Sequence, residues 1–316
     1  MSSIPIRHRP IFDGLETGEE KMAVAMKEYE ILKNTNEDGL DFANKTSMWI
    51  AFERDLESKR EDRLFNDPLA KHFSEPYGQR LSDAMSFGLQ VGVFDPPGSD
   101  IGFGLEGHVM YTAARTRLIN DHIEKWMKGV KGDKQVINVG AGVDTRPYWL
   151  SCLSHATSYW EIDTVSVIKY KHTILDGLEK KGQLPCLMCP IRTVSMDVGK
   201  ESIVNVLSEA YKFDTSIPSC WILEGLIMYL KRADVEQLMD SISQLSQTSS
   251  YLILNFSTNM PATSSPSIDE LDELLSVANW KKVDRLMFGE EGFHYDRYPK
   301  NKPANKIVGF AMYEKE

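Results

Sequence analysis

Residues 135–163 read QVINVGAGVDTRPYWLSCLSHATSYWEID. The apolar run Val136–Val139 is that of a buried parallel strand. It ends in Gly140-Ala141-Gly142, where the chain turns sharply and leaves bare backbone for a ligand to approach. A second strand-like piece, Ser158–Ile162, carries Glu161 near its end and Asp163 just beyond it. Strand, glycine turn, helix and a second strand ending in an acid make up the first half of a doubly wound nucleotide site. The glycines admit the ligand and the acid accepts hydrogen bonds from ribose hydroxyls.

A dinucleotide fingerprint would continue with a third glycine, but Thr145 stands at that position, within Asp144-Thr145-Arg146. No pyrophosphate-cradling lysine follows, which excludes a G-x-x-x-x-G-K-[ST] loop. A short G-x-G with an acid on the next strand suits a ligand that carries adenosine without phosphates, and S-adenosylmethionine meets that description. A GAG tripeptide also occurs in ordinary tight turns; the acid pair at the expected distance gives it weight.

The chain of 316 residues is long enough for a full core, as one large domain or a domain with a cap. Its net charge of −10 argues against nucleic acid as the main partner, since phosphate binding needs a basic stripe. No apolar run approaches the ~20 residues that span a bilayer, and MSSIPIRHRPIFDG has no continuous apolar core like that of a signal peptide. A cytoplasmic protein without membrane partners is expected. Cys186 and Cys189 form one C-x-x-C bracketed by Pro185 and Pro190; no second pair completes a metal site, so two reduced structural thiols are expected.

In chain order, the first fifteen residues read as a solvated arm and Lys21–Lys33 as an amphipathic helix. Asn44–Phe73 has a helical pattern that runs into a dense mixed-charge cluster, Arg54 to Arg63, which reads as an exposed face held by i,i+4 pairs. Leu64-Phe65 followed by Asp67-Pro68 requires that part of this segment is packed. The stretch from Gly88 to Gly107 is rich in glycine and proline, with Phe94, Ile101, Phe103 and Leu105 interspersed; it reads as a long loop, with a lid over a substrate pocket as its functional reading. Helices are expected over Met110–Trp126, Val165–Lys181, Lys200–Tyr211 and 232–246. Strands are expected over Arg192–Asp197, Trp221–Leu223 and Ser250–Ser257, with a closing antiparallel pair from 280–283 and 308–313. This alternation implies a mostly parallel sheet with both faces covered.

Glu161, Asp163, Asp197 and Glu224 each lie at or just after the C-terminal end of an apolar strand, the edge where open α/β sheets bind ligands. Asp197 also reads as a helix N-cap, with Lys200 opening a helix. Glu224 follows Trp221-Ile222-Leu223 directly, and a carboxylate there needs a partner.

Taken together, ERDLESKREDRLFNDPLA, YTAARTRLINDHI, QVINVGAGVDTRPYWL, YWEIDTVSVIKYK and PSCWILEGLIMYL resemble the leucine carboxyl methyltransferase family of S-adenosylmethionine-dependent O-methyltransferases, most nearly its small-molecule branch. The resemblance covers roughly Ser47 to Thr258. It implies a class I methyltransferase fold: an α/β, Rossmann-like, seven-stranded, mostly parallel sheet with helices on both faces and an N-terminal helical cap. Residues 1–109 would be arm, cap and lid, and 110–316 the S-adenosylmethionine-binding core. It implies that Arg115 pairs with the methionine carboxylate, as a planar fork suits. Gly140 and Gly142 would form the turn under the ligand, Asp163 the ribose acid with Glu161 as its neighbour, Asp197 and Val198 the pair flanking adenine, and Glu224 the acid near the methionine amino group. Arg54 lies where the protein-methylating members have a lysine, with a different spacing before Asp67-Pro68.

The activity so implied is methyl transfer to a hydroxyl or carboxyl of a small-molecule acceptor, a natural product or metabolite of secondary metabolism; the alternative is a protein C-terminal leucine carboxyl methyltransferase. A binding-only relative and a nucleotide-dependent oxidoreductase belong to other classes; intact Arg115 and Glu224 count against the first, the missing third glycine against the second. A carboxylate acceptor is already ionised, whereas a hydroxyl calls for a base. His108 and Tyr229 are the leading candidates, with His122 and His294 behind them. Phe94, Phe103 and Tyr111 hint at an apolar or aromatic acceptor.

Overall fold

The computed structural model describes residues 9–35, 40–90, 107–258 and 265–316, and of 86–90 the backbone alone. Seven strands form one sheet in the order β3-β2-β1-β4-β5-β7-β6. They are β1 (Gln135–Val139), β2 (Ser158–Asp163), β3 (Ile191–Ser195), β4 (Ser219–Leu223), β5 (Tyr251–Ser257), β6 (Trp280–Met287) and β7 (Val308–Lys315). The first five are parallel; β7 enters antiparallel between β5 and β6. The strand order reverses at β1, between β2 and β4, the place where doubly wound sheets open a crevice.

Consecutive strand residues serve opposite faces. Ile137, Trp160, Trp221 and Leu252 join a core closed by α7 (Arg232–Gln244) and α8 (Ile268–Val277). Val136, Tyr159, Ile222 and Ile253 join a second core closed by α4 (Gly107–Gly129). This explains the near-continuous apolar runs: a strand covered on both faces has no polar side. Helix α5 (Val165–Lys180) connects β2 to β3, and its Leu175 and Leu178 pack with Val143 and Tyr148 beside the glycine turn. The expected strands and the closing antiparallel pair are all present.

The N-terminal part adds α1 (Gly18–Asn34), α2 (Phe42–Ser58) and α3 (Gly78–Gln90). Thr17 and Glu20 cap α1 reciprocally. The three helices pack on one another, and α2 also packs against α4, which joins this layer to the sheet. Among the described residues no helix is long and apolar enough to cross a membrane.

Four local expectations are corrected. Between β1 and β2 the chain makes two 3-10 turns, Arg146–Tyr148 and Ser151–His155, instead of a helix. Pro147 lacks the donor a helix needs, and Asp144 takes the Arg146 N–H at 3.0 Å. The arm is not solvated throughout: Arg9 and Phe12 are buried, Arg9 lies 3.8 Å from Asp83, and Phe12 packs on Ala25. The charge cluster is an exposed face only in its second half: Arg54, Asp55 and Glu57 are buried, as is Glu53 before them, while Lys59, Glu61, Asp62 and Arg63 are exposed and Lys59 makes an i,i+4 pair with Asp55. Its helix ends at Ser58, and the chain continues irregularly before a 3-10 turn over Ala70–Phe73. The helix expected from Lys200 begins at Ile203 as α6 (Ile203–Asn205) and continues as a π turn over Val206–Ala210. The stretch read as a lid, with Phe94 and Phe103, lies outside the described residues except at its two ends. All four cysteines are unbridged, Cys186 exposed and Cys189 buried.

Candidate functional site

A cleft opens at the C-terminal edge of β1 and β4, and the predicted residues His108, Arg115, Gly140, Gly142, Glu224 and Tyr229 all line it. Its floor is the turn after β1. Gly140 and Gly142 have φ of +71° and +53°, values an L side chain rarely adopts. Ser47 of α2 comes so close that a Cβ on Gly142 would meet its Oγ at 3.0 Å.

The turn uses its own donors. Gly140 and Ala141 N–H donate to the Ile162 carbonyl at 2.8 and 3.1 Å, and Gly142 N–H donates to Asp163 Oδ2 at 2.7 Å. No N–H of the tripeptide is left pointing outward to cradle an anion, which agrees with a ligand free of phosphates at this point. Asp163 therefore reaches the cleft through Gly142, and its other oxygen accepts from Thr164 N–H at 2.7 Å. Burial raises its carboxyl above the ordinary range against those backbone bonds.

Opposite the turn, Arg115 donates from Nε to Glu224 Oε1 at 2.9 Å, and Arg146 donates from Nη2 to Glu224 Oε2 at 3.1 Å. Arg146 also holds Asp144 at 3.0 Å and Asn120 at 2.8 Å. Burial alone would raise the Glu224 carboxyl; the charges of Arg146 and Arg115 outweigh it and hold the group below its usual range. Asp144 is held well below its usual range in the same way, burial being overcome by Arg146, Arg54 and Lys171. Arg54, from the charge cluster, donates to the Val143 carbonyl at 2.8 Å and lies 3.2 Å from Asp67, which in turn accepts from Thr145 at 2.7 Å. The cluster thus fastens α2 to the loop that follows the glycines.

The sequence reading missed Asn138, one residue before Val139 at the end of β1. It lines the cleft, is 2% exposed, and donates to Asp144 at 2.7 Å, yet its Oδ1 accepts no hydrogen bond. A polar residue inside the apolar run VINV was the available signal. Also missed were Asp144 and Arg146, visible only as an acid and a base two apart, and Glu53, whose role depends on a helix 55 residues away.

His108 opens α4 with Nδ1 2.6 Å from Glu53 Oε2. Glu53 is fully buried and also accepts from Trp49 Nε1 (2.6 Å), Thr112 Oγ1 (2.6 Å) and Ser82 Oγ (3.0 Å). The indole of Trp49 lies over the His108 ring, centroids 4.1 Å apart. Tyr229 lines the mouth of the cleft and is 64% exposed.

Asp163 stands behind Gly142 and is not itself in the lining, and three further predicted site residues lie apart from this cleft. Glu161 is buried beneath β2 and paired at 2.6 Å with Lys171 of α5, which also donates to the Asp144 carbonyl. It braces the loop from behind. Asp197 caps a turn, accepting from Gly199 N–H at 3.0 Å, and its other oxygen meets Lys200 at 2.7 Å. Val198 packs against the core under α7. Of the weaker candidates, His122 bonds Tyr251 at 2.9 Å on the far side of α4, and His294 bonds its own loop.

A sheet of this order with a glycine turn after β1 defines the class I, Rossmann-like methyltransferase fold. A DUF574 family protein from Streptomyces avermitilis superposes with a TM-score of 0.51 at 14% identity, over 85% of this chain and 97% of that one. A protein from Thermobifida fusca, titled a "putative methyltransferase", does so with the same score and identity over 88% and 98%. The leucine carboxyl methyltransferase family model matches residues 47–243, and the chain belongs to that family. Two proteins named "Putative S-adenosyl-L-methionine-dependent methyltransferase" agree. The one from Mycolicibacterium gilvum is 29% identical over 256 residues, 79% of each chain; the one from Mycolicibacterium vanbaalenii is 30% identical over 224 residues, 70% of each. The chain is an S-adenosylmethionine-dependent methyltransferase.

Proposed function

We propose that the chain is an O-methyltransferase of a small, largely apolar metabolite, and that both methyl donor and acceptor enter the cleft at the β1–β4 edge. The observation that carries this reading is the two-part lining of the cleft. It is polar at the Arg115–Glu224 pair, Asn138 and Asp144, and apolar at Ile50, Met85, Met228 and Tyr229.

The polar half suits S-adenosylmethionine. Arg115 offers a planar donor to the α-carboxylate, while Glu224 and the orphaned, buried Asn138 Oδ1 offer acceptors to the α-ammonium. The turn, with its N–H groups taken, leaves a surface for a neutral ribose, and Asp163 keeps lone pairs for its hydroxyls. When bound, S-adenosylmethionine supplies a methyl group on a sulfonium. The protein's part is to hold the acceptor oxygen in line with it and to keep water out, for which proximity alone supplies several kcal/mol. Asp197 and Val198 remain assigned to the adenine end, beyond the cleft as now lined. In this reading residues 1–109 serve as cap on the acceptor side and 110–316 as the donor-binding core, in a cytoplasmic enzyme of secondary metabolism.

The test is incubation of the purified protein with methyl-labelled S-adenosylmethionine, separately with a pool of small phenols, alcohols and carboxylic acids and with a peptide ending in leucine. Label in the small molecules supports the reading. Label in the peptide carboxylate alone replaces it with the protein C-terminal leucine carboxyl methyltransferase.

A further inference from the structure

We infer that the acceptor atom is a hydroxyl oxygen, and that Glu53 is a positioning residue that sets His108 as the general base for it. The inference rests on the small-molecule O-methyltransferase reading and deepens it.

Three observations carry it. First, Glu53 is a wholly buried carboxylate with donors on every side: Trp49 from its own helix, Ser82 from α3, and His108 and Thr112 from α4. Burial alone would raise its carboxyl, but its contacts with His108, Thr112 and Trp49 outweigh this and hold it below its usual range. Burying an anion costs several kcal/mol unless it is fully bonded, so four donors from three helices constitute a built feature. Second, the contact runs through Nδ1 of His108. A carboxylate there fixes the tautomer with Nδ1 protonated, which makes Nε2 the proton-accepting atom, and the Trp49 indole, tilted 31° over the ring, limits its rotation. Third, the surroundings disfavour a carboxylate acceptor. Among the described lining residues the arginines are Arg54 and Arg115, paired with Asp67 and Glu224, and the wall behind His108 is an anion. An acid brought to this end of the cleft would find, among the described lining residues, only arginines that already hold a carboxylate; a phenol or alcohol would meet a base.

The step balances. The acceptor oxygen forms its bond to the methyl carbon with its own electron pair, and the carbon–sulfur pair stays on sulfur, cancelling the sulfonium charge. The hydroxyl proton passes to His108 Nε2, and the Glu53 carboxylate stabilises the imidazolium until the proton leaves to water. General bases of this kind contribute about 10²–10⁴-fold.

The experiment pairs 4-phenylphenol with biphenyl-4-carboxylic acid as acceptors for the full-length protein, with labelled S-adenosylmethionine, and follows His108 by ¹⁵N spectroscopy. Label is expected in the phenol and not the acid. His108→Asn is expected to lower kcat about a hundredfold or more while calorimetric affinity for S-adenosylhomocysteine stays within about threefold. Glu53→Gln, which keeps the side-chain shape, is expected to lower kcat by about tenfold or more and to remove the Nδ1–H tautomer seen in the wild type. Methylation of the acid alone, or of the phenol at wild-type rate by His108→Asn, overturns the inference. If neither probe is labelled although S-adenosylhomocysteine binds, the hydroxyl assignment fails together with the small-molecule reading. The spectra test the positioning role of Glu53 separately: a neutral His108 protonated at Nε2 overturns it, and the Nδ1–H tautomer lost in Glu53→Gln upholds it.

Discussion

At the scale of single residues, the cleft works through charges that are already paired before any ligand arrives. Arg115 is pre-aimed by Glu224, which Arg146 holds from the other side. Such a fork loses little freedom on meeting a carboxylate. Replacing it with alanine removes the charge-assisted bond and leaves Glu224 with one partner fewer. Asp163→Ala removes both the acceptor proposed for ribose and the clamp on Gly142 N–H. Each is expected to weaken S-adenosylmethionine binding by about tenfold or more, ~1.5–3 kcal/mol for a hydrogen bond to a charged group. Calorimetric titration of the folded variants checks this, and unchanged affinity would remove the residue from the site. Asp144 makes a prediction about pH. Its native carboxyl lies well below its unfolded value, so its contribution to stability is present above about pH 4 and is lost as pH falls toward the native pKa. Asp144→Asn is therefore expected to cost on the order of 3–5 kcal/mol at pH 7. The gap to the wild type should narrow steadily below about pH 4 in thermal melts, and a gap independent of pH would refute the pairing.

At the scale of elements, α2 is the part whose sequence misled. Its mixed charges have the look of a solvated face, yet Glu53, Arg54 and Glu57 each point to a different neighbour: His108 of α4, the loop after β1, and Arg297 from the segment between β6 and β7. Arg297 is 4% exposed and reaches both Glu57 oxygens, at 2.7 and 3.2 Å, and the Asp62 carbonyl at 2.7 Å. These partners lie up to 240 residues away, so no local spacing reveals them. Arg297→Ala, which leaves a buried anion short of its partner, is expected to cost about 3–5 kcal/mol in urea unfolding. The double replacement Glu57→Met with Arg297→Met is expected to cost less, because an apolar pair of similar volume removes the desolvation penalty along with the bond. A double variant worse than the single would show that the bridge, and not the lone charge, matters. Helix α8 failed in the other direction. Ser267 and Glu270 form a capping box at its start, and S-x-x-E before an apolar stripe was a signal in plain view.

At the scale of the whole molecule, the cleft exists because the sheet reverses its order at β1 and is locked by a strand from the far end of the chain. β7 pairs β5 along one edge and β6 along the other, at seven positions each. Its Phe310 and Met312 enter the core under α4, while Ala311 and Tyr313 enter the core under α7 and α8. Truncation before Val308 would leave β6 without a neighbour and both cores open. It is expected to abolish the cooperative thermal transition in circular dichroism and, with it, S-adenosylmethionine binding. A truncated chain that still melts cooperatively would show that the first five strands stand alone.

The sequence by itself determined the sheet and the class of ligand. Buried strands must be apolar on both faces, glycine alone adopts the turn's backbone at no cost, and an acid must follow the second strand; these are local demands, written in adjacent residues. It also placed Arg115 within its helix and Glu224 just after its strand, although they are 109 residues apart. Only the tertiary structure decided which acids line the cleft, as Glu224 does, and which stand behind it. Glu161 and Asp163 share one strand face two residues apart, yet Lys171 of α5 captures the first and the Gly142 N–H takes the second. The same holds for His108, which becomes a candidate base only where α2 brings Glu53 to its ring. A side chain's type is set by its codon, but its charge state and partner are set by what other elements deliver within about 3 Å, the range over which hydrogen bonds act.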